Sequence, residues 1–208
     1  MHQLDEPLVW YVAYGSNLSA ERFACYVVGG RPAGSLRDCP GFRDDTPPRA
    51  VRSVTVPGGI YFAGESRVWT GGTAFLDPDA DGVVAARAYL ITVAQFADLA
   101  EQEMLRAPGA DRDLSVVLAE GRHSYGTGRY ETLLRLGAYE GTPMLTVSAP
   151  WSPSTAKLSA PTGDYLRMIG RGLVETHAWD SVRAGSYLAD APGALGSWRA
   201  DQVAALLG

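Results

Sequence analysis

Residues 9–22, VWYVAYGSNLSAER, join an unbroken apolar run to a glycine and then to a helix start. Val9, Trp10, Tyr11, Val12 and Ala13 are β-branched, aromatic or small, with no polar residue alternating between them. Such a run predicts a strand covered on both faces. Gly15 ends it. Ser16 and Asn17 are helix-capping residue types, and a helix is expected over 18–28. A sharp strand-to-helix corner leaves backbone N–H groups without acceptors. They can hold a carboxylate, or an oxygen on which charge develops. The same corner is also a common packing device that carries no chemistry.

A chain of 208 residues has ample length to bury a core, and one domain spanning 1–208 is the default. The net charge is −5, with no cluster of Lys or Arg, which speaks against a nucleic-acid partner. No apolar stretch approaches the roughly eighteen residues a membrane helix needs, so no membrane partner is expected. The first ten residues, MHQLDEPLVW, lack a basic and apolar leader. With Cys25 and Cys39 outside any CxxC spacing, a reduced, cytoplasmic protein is the simplest expectation, although the two thiols could bridge.

Beyond the first helix, 29–59 is rich in Gly and Pro and reads as an irregular segment with short strands. Strands are expected at 60–63 and 68–76, the second with Gly71 and Gly72 marking a bulge or a close backbone approach. DPDADG at 77–82 reads as a hairpin tip leading into a strand at 83–92. Its acids match the start of a calcium loop, but Ala88 stands where a bidentate Glu is needed. A helix follows at 93–104, capped by Thr92. On it Phe96, Leu99 and Ala100 share a face that Glu103 continues. A carboxylate on that face is either a helix-end group reaching solvent or a buried acid with a raised pKa, as a general acid/base requires. Segment 107–127 is polar, with one apolar run at 114–119. Strands are expected at 129–136 and 144–149, and helices at 165–173, 174–188 and 197–207. The pattern lacks the alternation of a doubly wound sheet and indicates an α+β domain built on a small, partly closed barrel.

Three stretches, taken together, resemble the gamma-glutamylcyclotransferase-like superfamily. They are AYGSNLSAER at 13–22, WTGGTAFLDPDADGVVAARAYLI at 69–91, and LAEQEM at 99–104. Weaker likenesses are Gly128-Arg129-Tyr130 and the stretch 161–172 with Tyr165. The resemblance implies a small mixed β-barrel with flanking helices, an insertion at 107–127 and a helical C-terminal extension from about 174. Met104 stands where the family usually has Gly, and Ala100 where it has an acid.

What the resemblance implies for chemistry is cleavage of a small-molecule γ-glutamyl amide by its own α-amine, releasing 5-oxoproline and an amine. Glu103 would be the general acid/base. Tyr14, Gly15, Ser16, Asn17, Leu18, Tyr130 and Tyr165 would bind substrate. No cofactor and no metal are implied: His2, His123 and His177 form no ligand set, and Cys25 and Ser16 lack a partnering base. A homodimer stays open. So do two other functions, an amide hydrolase on the same scaffold and a non-catalytic module that binds a small acid.

Overall fold

The computed structural model describes residues 6–32, 37–66, 70–109 and 111–208. The N-terminal pentapeptide with His2, and Val68-Trp69 at the start of the expected second strand, lie outside the described residues.

Strand β1 (Leu8–Ala13) lies in the middle of a six-stranded sheet. It pairs antiparallel with β5 (Val83–Thr92), from Leu8 opposite Thr92 to Ala13 opposite Arg87. On its other side it runs parallel to β8 (Thr142–Ser148). Strand β2 (Ala50–Pro57) forms one edge beyond β5. Beyond β8 lie β7 (Thr132–Tyr139) and then β6 (Arg122–Ser124), the other edge. The β1 run has no polar alternation because both faces are covered. Trp10, Val12 and Tyr14 pack in a core with α4 (Gly163–His177) and α5 (Ser181–Ala189). Val9, Tyr11 and Ala13 pack on the opposite side with α1 (Ala20–Val28) and α2 (Val93–Glu103). Helix α2 starts in a capping box in which Thr92 and Gln95 satisfy each other's backbone amides. Helix α3 (Ser115–Glu120) and β6 come from the 107–127 segment, and α6 (Ala200–Ala205) packs on α5. No helix among the described residues is long and apolar enough to cross a membrane.

The expected barrel is not formed. The six-stranded sheet is open, and β3 (Gly59–Ala63) pairs with β4 (Thr73–Asp77) in a separate two-stranded sheet. Side chains occupy the places on β4 that a closing strand would fill. Leu76 donates its N–H to Ser148 Oγ (3.1 Å), and that hydroxyl donates back to Leu76 C=O (2.7 Å). Ala74 N–H donates to the Tyr165 hydroxyl (3.1 Å), and the Tyr130 hydroxyl donates to Ala74 C=O (2.9 Å). With these backbone groups satisfied, no ladder is needed to bury β4. A gap between the sheets results.

Other expectations shift as well. The helix expected at 18–28 is preceded by a separate 3-10 turn at Ser16–Leu18, and Ser19 caps α1 by accepting from Arg22 N–H. The DPDADG turn does not close a hairpin, because β4 and β5 belong to different sheets. Gly71 and Gly72 do mark a close approach: a Cβ on Gly72 would lie 2.1 Å from Ser159 O. Helix α6 starts after Arg199 rather than Ser197. Cys25 and Cys39 are free thiols.

Candidate active site

The gap between β4 and the large sheet opens into a cavity. Its inner end is lined by Tyr11, Tyr14, Gly15, Ser16, Asn17 and Glu103, with Tyr130 and Tyr165 opposite. An outer chamber of about 410 Å³ continues from Ser16, Glu103, Tyr130 and Tyr165 toward Arg22, Met104 and Arg129. The strand-to-helix corner and the end of α2 thus meet, although 86 residues separate Asn17 from Glu103.

Asn17 joins them. Its Nδ2 donates to Glu103 Oε1 at 3.0 Å and to the Tyr11 hydroxyl at 3.1 Å, which fixes the amide's orientation. Its Oδ1 is buried without a hydrogen-bond partner. The Tyr89 hydroxyl holds the Asn17 carbonyl at 2.8 Å. In the turn, Leu18 N–H bonds Gly15 C=O and Ser19 N–H bonds Ser16 C=O. The amides of Ser16 and Asn17, at the first positions of the turn, therefore have no acceptor within it.

Glu103 has its carboxyl pKa raised, chiefly by burial. The Arg22 guanidinium opposes this, as do hydrogen bonds from Tyr26 and Asn17. Arg22 is itself buried and donates Nε–H to Ser16 Oγ at 2.7 Å. The carboxylate thus has partners for its charged form in a setting that disfavours charge. Burial also pushes the hydroxyls of Tyr11, Tyr14, Tyr130 and Tyr165 upward, so these phenols stay protonated.

Each tyrosine is positioned by its element. Tyr14, just past β1, donates to Val147 C=O at 2.7 Å. Tyr165 stands in the first turn of α4, whose cap Thr162 accepts its N–H. Tyr130 has φ +59°, a left-handed backbone that aromatic residues rarely adopt. Its ring is stacked on Phe75 at 4.9 Å. Leu18 is the expected residue that the structure does not bring to the cavity: it is fully buried against α4.

Tyr11, Arg22, Tyr26 and Gln102 were not singled out from the sequence. Tyr11 is indistinguishable from core within its apolar run. Arg22 carried a signal: it falls on the helix face shared with Phe23, Tyr26 and Val27, where a charge needs a partner. His123 and His177 are remote from this cavity. His123 stacks edge-on with Tyr125, and His177 bonds Ser53 and Ala86. No group of three or more His, Cys, Asp or Glu side chains among the described residues is placed to hold a metal.

A solved gamma-glutamyl cyclotransferase structure matches with a TM-score of 0.52 and 14% identity, covering 96% of this chain and 98% of that one. The chain shares that protein's fold. An uncharacterized human protein matches at a TM-score of 0.48 and 16% identity, over 82% of this chain and 81% of that one. Among curated proteins, histone deacetylase 5 of Arabidopsis thaliana is 30% identical over 198 residues. The match covers 86% of this chain, which spans 30% of the length of that relative. No family model matches.

Proposed function

We propose that this chain is a cofactor-independent γ-glutamyl cyclotransferase acting on a small γ-glutamyl amide. The observation that carries the reading is the Asn17–Glu103 hydrogen bond of 3.0 Å, which sets an acid with a raised pKa beside the Gly15–Asn17 amides in one cavity. The likeness in fold to a gamma-glutamyl cyclotransferase supports it.

In the proposed reaction, ionised Glu103 takes a proton from the substrate's α-ammonium. The freed amine attacks the γ-carbonyl carbon, closing a five-membered ring, and the carbonyl electrons move onto oxygen. The Ser16 and Asn17 amides, which have no acceptor within the turn, would donate to that oxyanion or to the α-carboxylate. Glu103 then returns its proton to the leaving nitrogen as the oxyanion re-forms the carbonyl and the original amide bond breaks. The ring nitrogen, made cationic by the attack, passes its extra proton through the same carboxylate to the departing amine. 5-Oxoproline and an amine leave, and no water is consumed. Because the attack is intramolecular, its effective molarity is high and no enzyme nucleophile is required. A single carboxyl group that both accepts and donates works best with a pKa near the operating pH, which is the direction in which burial moves Glu103. The protonated Tyr14, Tyr130 and Tyr165 wall the reacting atoms from solvent.

The test is 5-oxoproline release from a panel of γ-glutamyl amides by wild type and Glu103→Gln. Turnover by wild type should fall by a factor of about 10² to 10⁴ in the variant. Undiminished turnover in a folded variant would remove Glu103 from the role.

A further inference from the structure

Strand β5, VVAARAYLIT, carries one charge, Arg87. Register places Arg87 opposite Ala13, the last residue of β1, and Tyr89 opposite Tyr11. Residues two apart on a strand share a face, so Arg87 and Tyr89 both lie on the side packed with α1 and α2. Arg87 is 5% exposed, whereas its ion-pair partner on α4, Glu175 at 3.1 Å, is half exposed. The Arg87 Nε is buried with no hydrogen-bond partner. A buried guanidinium with one half-solvated partner and an unmade bond is a poor source of stability, and an apolar side chain of similar size often serves as well. Stability therefore does not account for the charge. Its other contact does. Burial pushes the Tyr89 hydroxyl up to about 12, and a hydrogen bond from Arg87, together with its charge, works against that rise. The Tyr89 ring is stacked on Phe23 at 3.9 Å, and its hydroxyl donates to the Asn17 carbonyl at 2.8 Å. From the same residue the Asn17 side chain reaches Glu103 at 3.0 Å and the Tyr11 hydroxyl at 3.1 Å. Apart from burial, Arg22, Tyr26 and Asn17 act on the Glu103 carboxyl. Arg87 therefore bears on the acid at one remove, through Tyr89 and Asn17.

The structure assigns Arg87 the role of a positioning residue for the proposed reaction. With its guanidinium on the Tyr89 hydroxyl it holds the Asn17 carbonyl, and so keeps the Asn17 amide on Glu103. It lines neither the inner cavity nor the outer chamber, so it works from outside the site. The role rests on the proposed reaction for its effect on rate, but the state of the Asn17 amide can be read without turnover.

The experiment compares wild type, Tyr89→Phe, Arg87→Met and the double variant. Val84→Ala is the control, since Val84 is buried on the opposite face of β5. In the first arm, kcat/KM for a γ-glutamyl amide is followed against pH. The hydrogen bond from Asn17 favours ionised Glu103, so loosening it should move the acid limb to higher pH in both single variants. The control should leave the limb in place. The double variant should move it no further than Tyr89→Phe, because both changes act through one hydroxyl. An unmoved limb in Arg87→Met overturns the inference. So do additive shifts, which would mean that Arg87 acts on the acid directly by its charge. In the second arm, solvent exchange of the Asn17 side-chain amide is measured by NMR, its signal being the one lost in Asn17→Ser. Exchange should be faster by about fivefold or more in Arg87→Met and Tyr89→Phe, the scale of one hydrogen bond, and unchanged in Val84→Ala. Equal acceleration in Val84→Ala would mean general loosening and would overturn the role. If wild type turns over no amide, the proposed reaction fails and the exchange arm alone decides. Unchanged exchange in Arg87→Met then refutes the positioning role.

Discussion

Two glycines in α4 should respond oppositely to the same substitution, and the difference tests how the candidate site is held. In a helix interior, Gly to Ala gains about 0.8–1.0 kcal/mol from backbone propensity alone. At Gly172 the added Cβ would lie 2.5 Å from Leu18 Cβ, 2.7 Å from Leu18 C and 2.8 Å from Ser19 N. Two of those atoms are backbone of the segment that leads from the Ser16–Leu18 turn into α1, so relief requires moving the turn or the helix. Adding a methyl group to a packed interior costs about 1–3 kcal/mol. Gly172→Ala is therefore expected to be neutral at best and destabilising by up to about 2 kcal/mol, the difference of those two terms. At Gly170 the contacts are the terminal methyls of Leu207, at 2.6 and 2.8 Å. That half-buried side chain can rotate away, so Gly170→Ala should keep most of the propensity gain. The two variants should then differ by about 2 kcal/mol, or roughly 4–8 °C in Tm for a chain of this size. Thermal unfolding by circular dichroism measures this directly. Displacement of the turn should also lower activity in Gly172→Ala and not in Gly170→Ala. If Gly172→Ala matched Gly170→Ala in both stability and activity, α4 could not be what clamps the turn.

Three further outcomes follow from the same geometry. The raised pKa of Glu103 means the folded chain holds its proton more tightly than the unfolded chain does. Its contribution to stability is therefore largest below the ordinary glutamate pKa and is lost as pH rises through the folded value, at about 1.4 kcal/mol per pKa unit of the rise. Glu103→Gln should accordingly gain stability relative to wild type as pH is raised through that window; urea titrations showing a constant difference would deny the shift. Asn17→Asp removes the Nδ2 donor 3.0 Å from Glu103 and adds a like charge, both of which raise the Glu103 pKa further. The acid limb of its kcat/KM profile should move to higher pH; an unmoved or lowered limb would separate Asn17 from the acid. Arg112 is ion-paired with the largely buried Glu101, contacts Met104 Sδ at 3.5 Å and stacks over Tyr125 at 4.2 Å. Arg112→Met should cost about 3 kcal/mol by stranding Glu101, and adding Glu101→Leu should recover most of it. Additive losses in urea melts would show that the two side chains are independent.

Local pattern made several elements legible. The apolar run 9–13 and the Thr92 cap of α2 are short-range signals, and both elements lie where they were expected. The strands expected at 129–136 and 144–149 form with shifted ends, as β7 and β8 joined by a turn at Glu140-Gly141. Strand pairing across long separations was not legible. Nothing near Ala74 or Leu76 in the chain announces that tyrosine and serine hydroxyls will take the place of a closing strand, so a barrel was expected where an open sheet forms. At the site, Glu103 stood out as a charge continuing an apolar face. Tyr11 did not, because a tyrosine in an apolar strand looks like packing until its hydroxyl is seen to meet Asn17. Arg22 lay between these cases, a charge on a buried helix face whose partners Ser16 and Glu103 come from other elements.

Intramolecular attack by the substrate amine is the central claim, and the origin of the product's oxygen tests it most directly. Turnover of a γ-glutamyl amide in ¹⁸O-enriched water, followed by mass spectrometry, should give 5-oxoproline that carries no solvent oxygen, together with an equal amount of free amine. Glutamate with one ¹⁸O in its γ-carboxylate would mean that water, not the amine, attacks the carbonyl, and would contradict the proposed reaction.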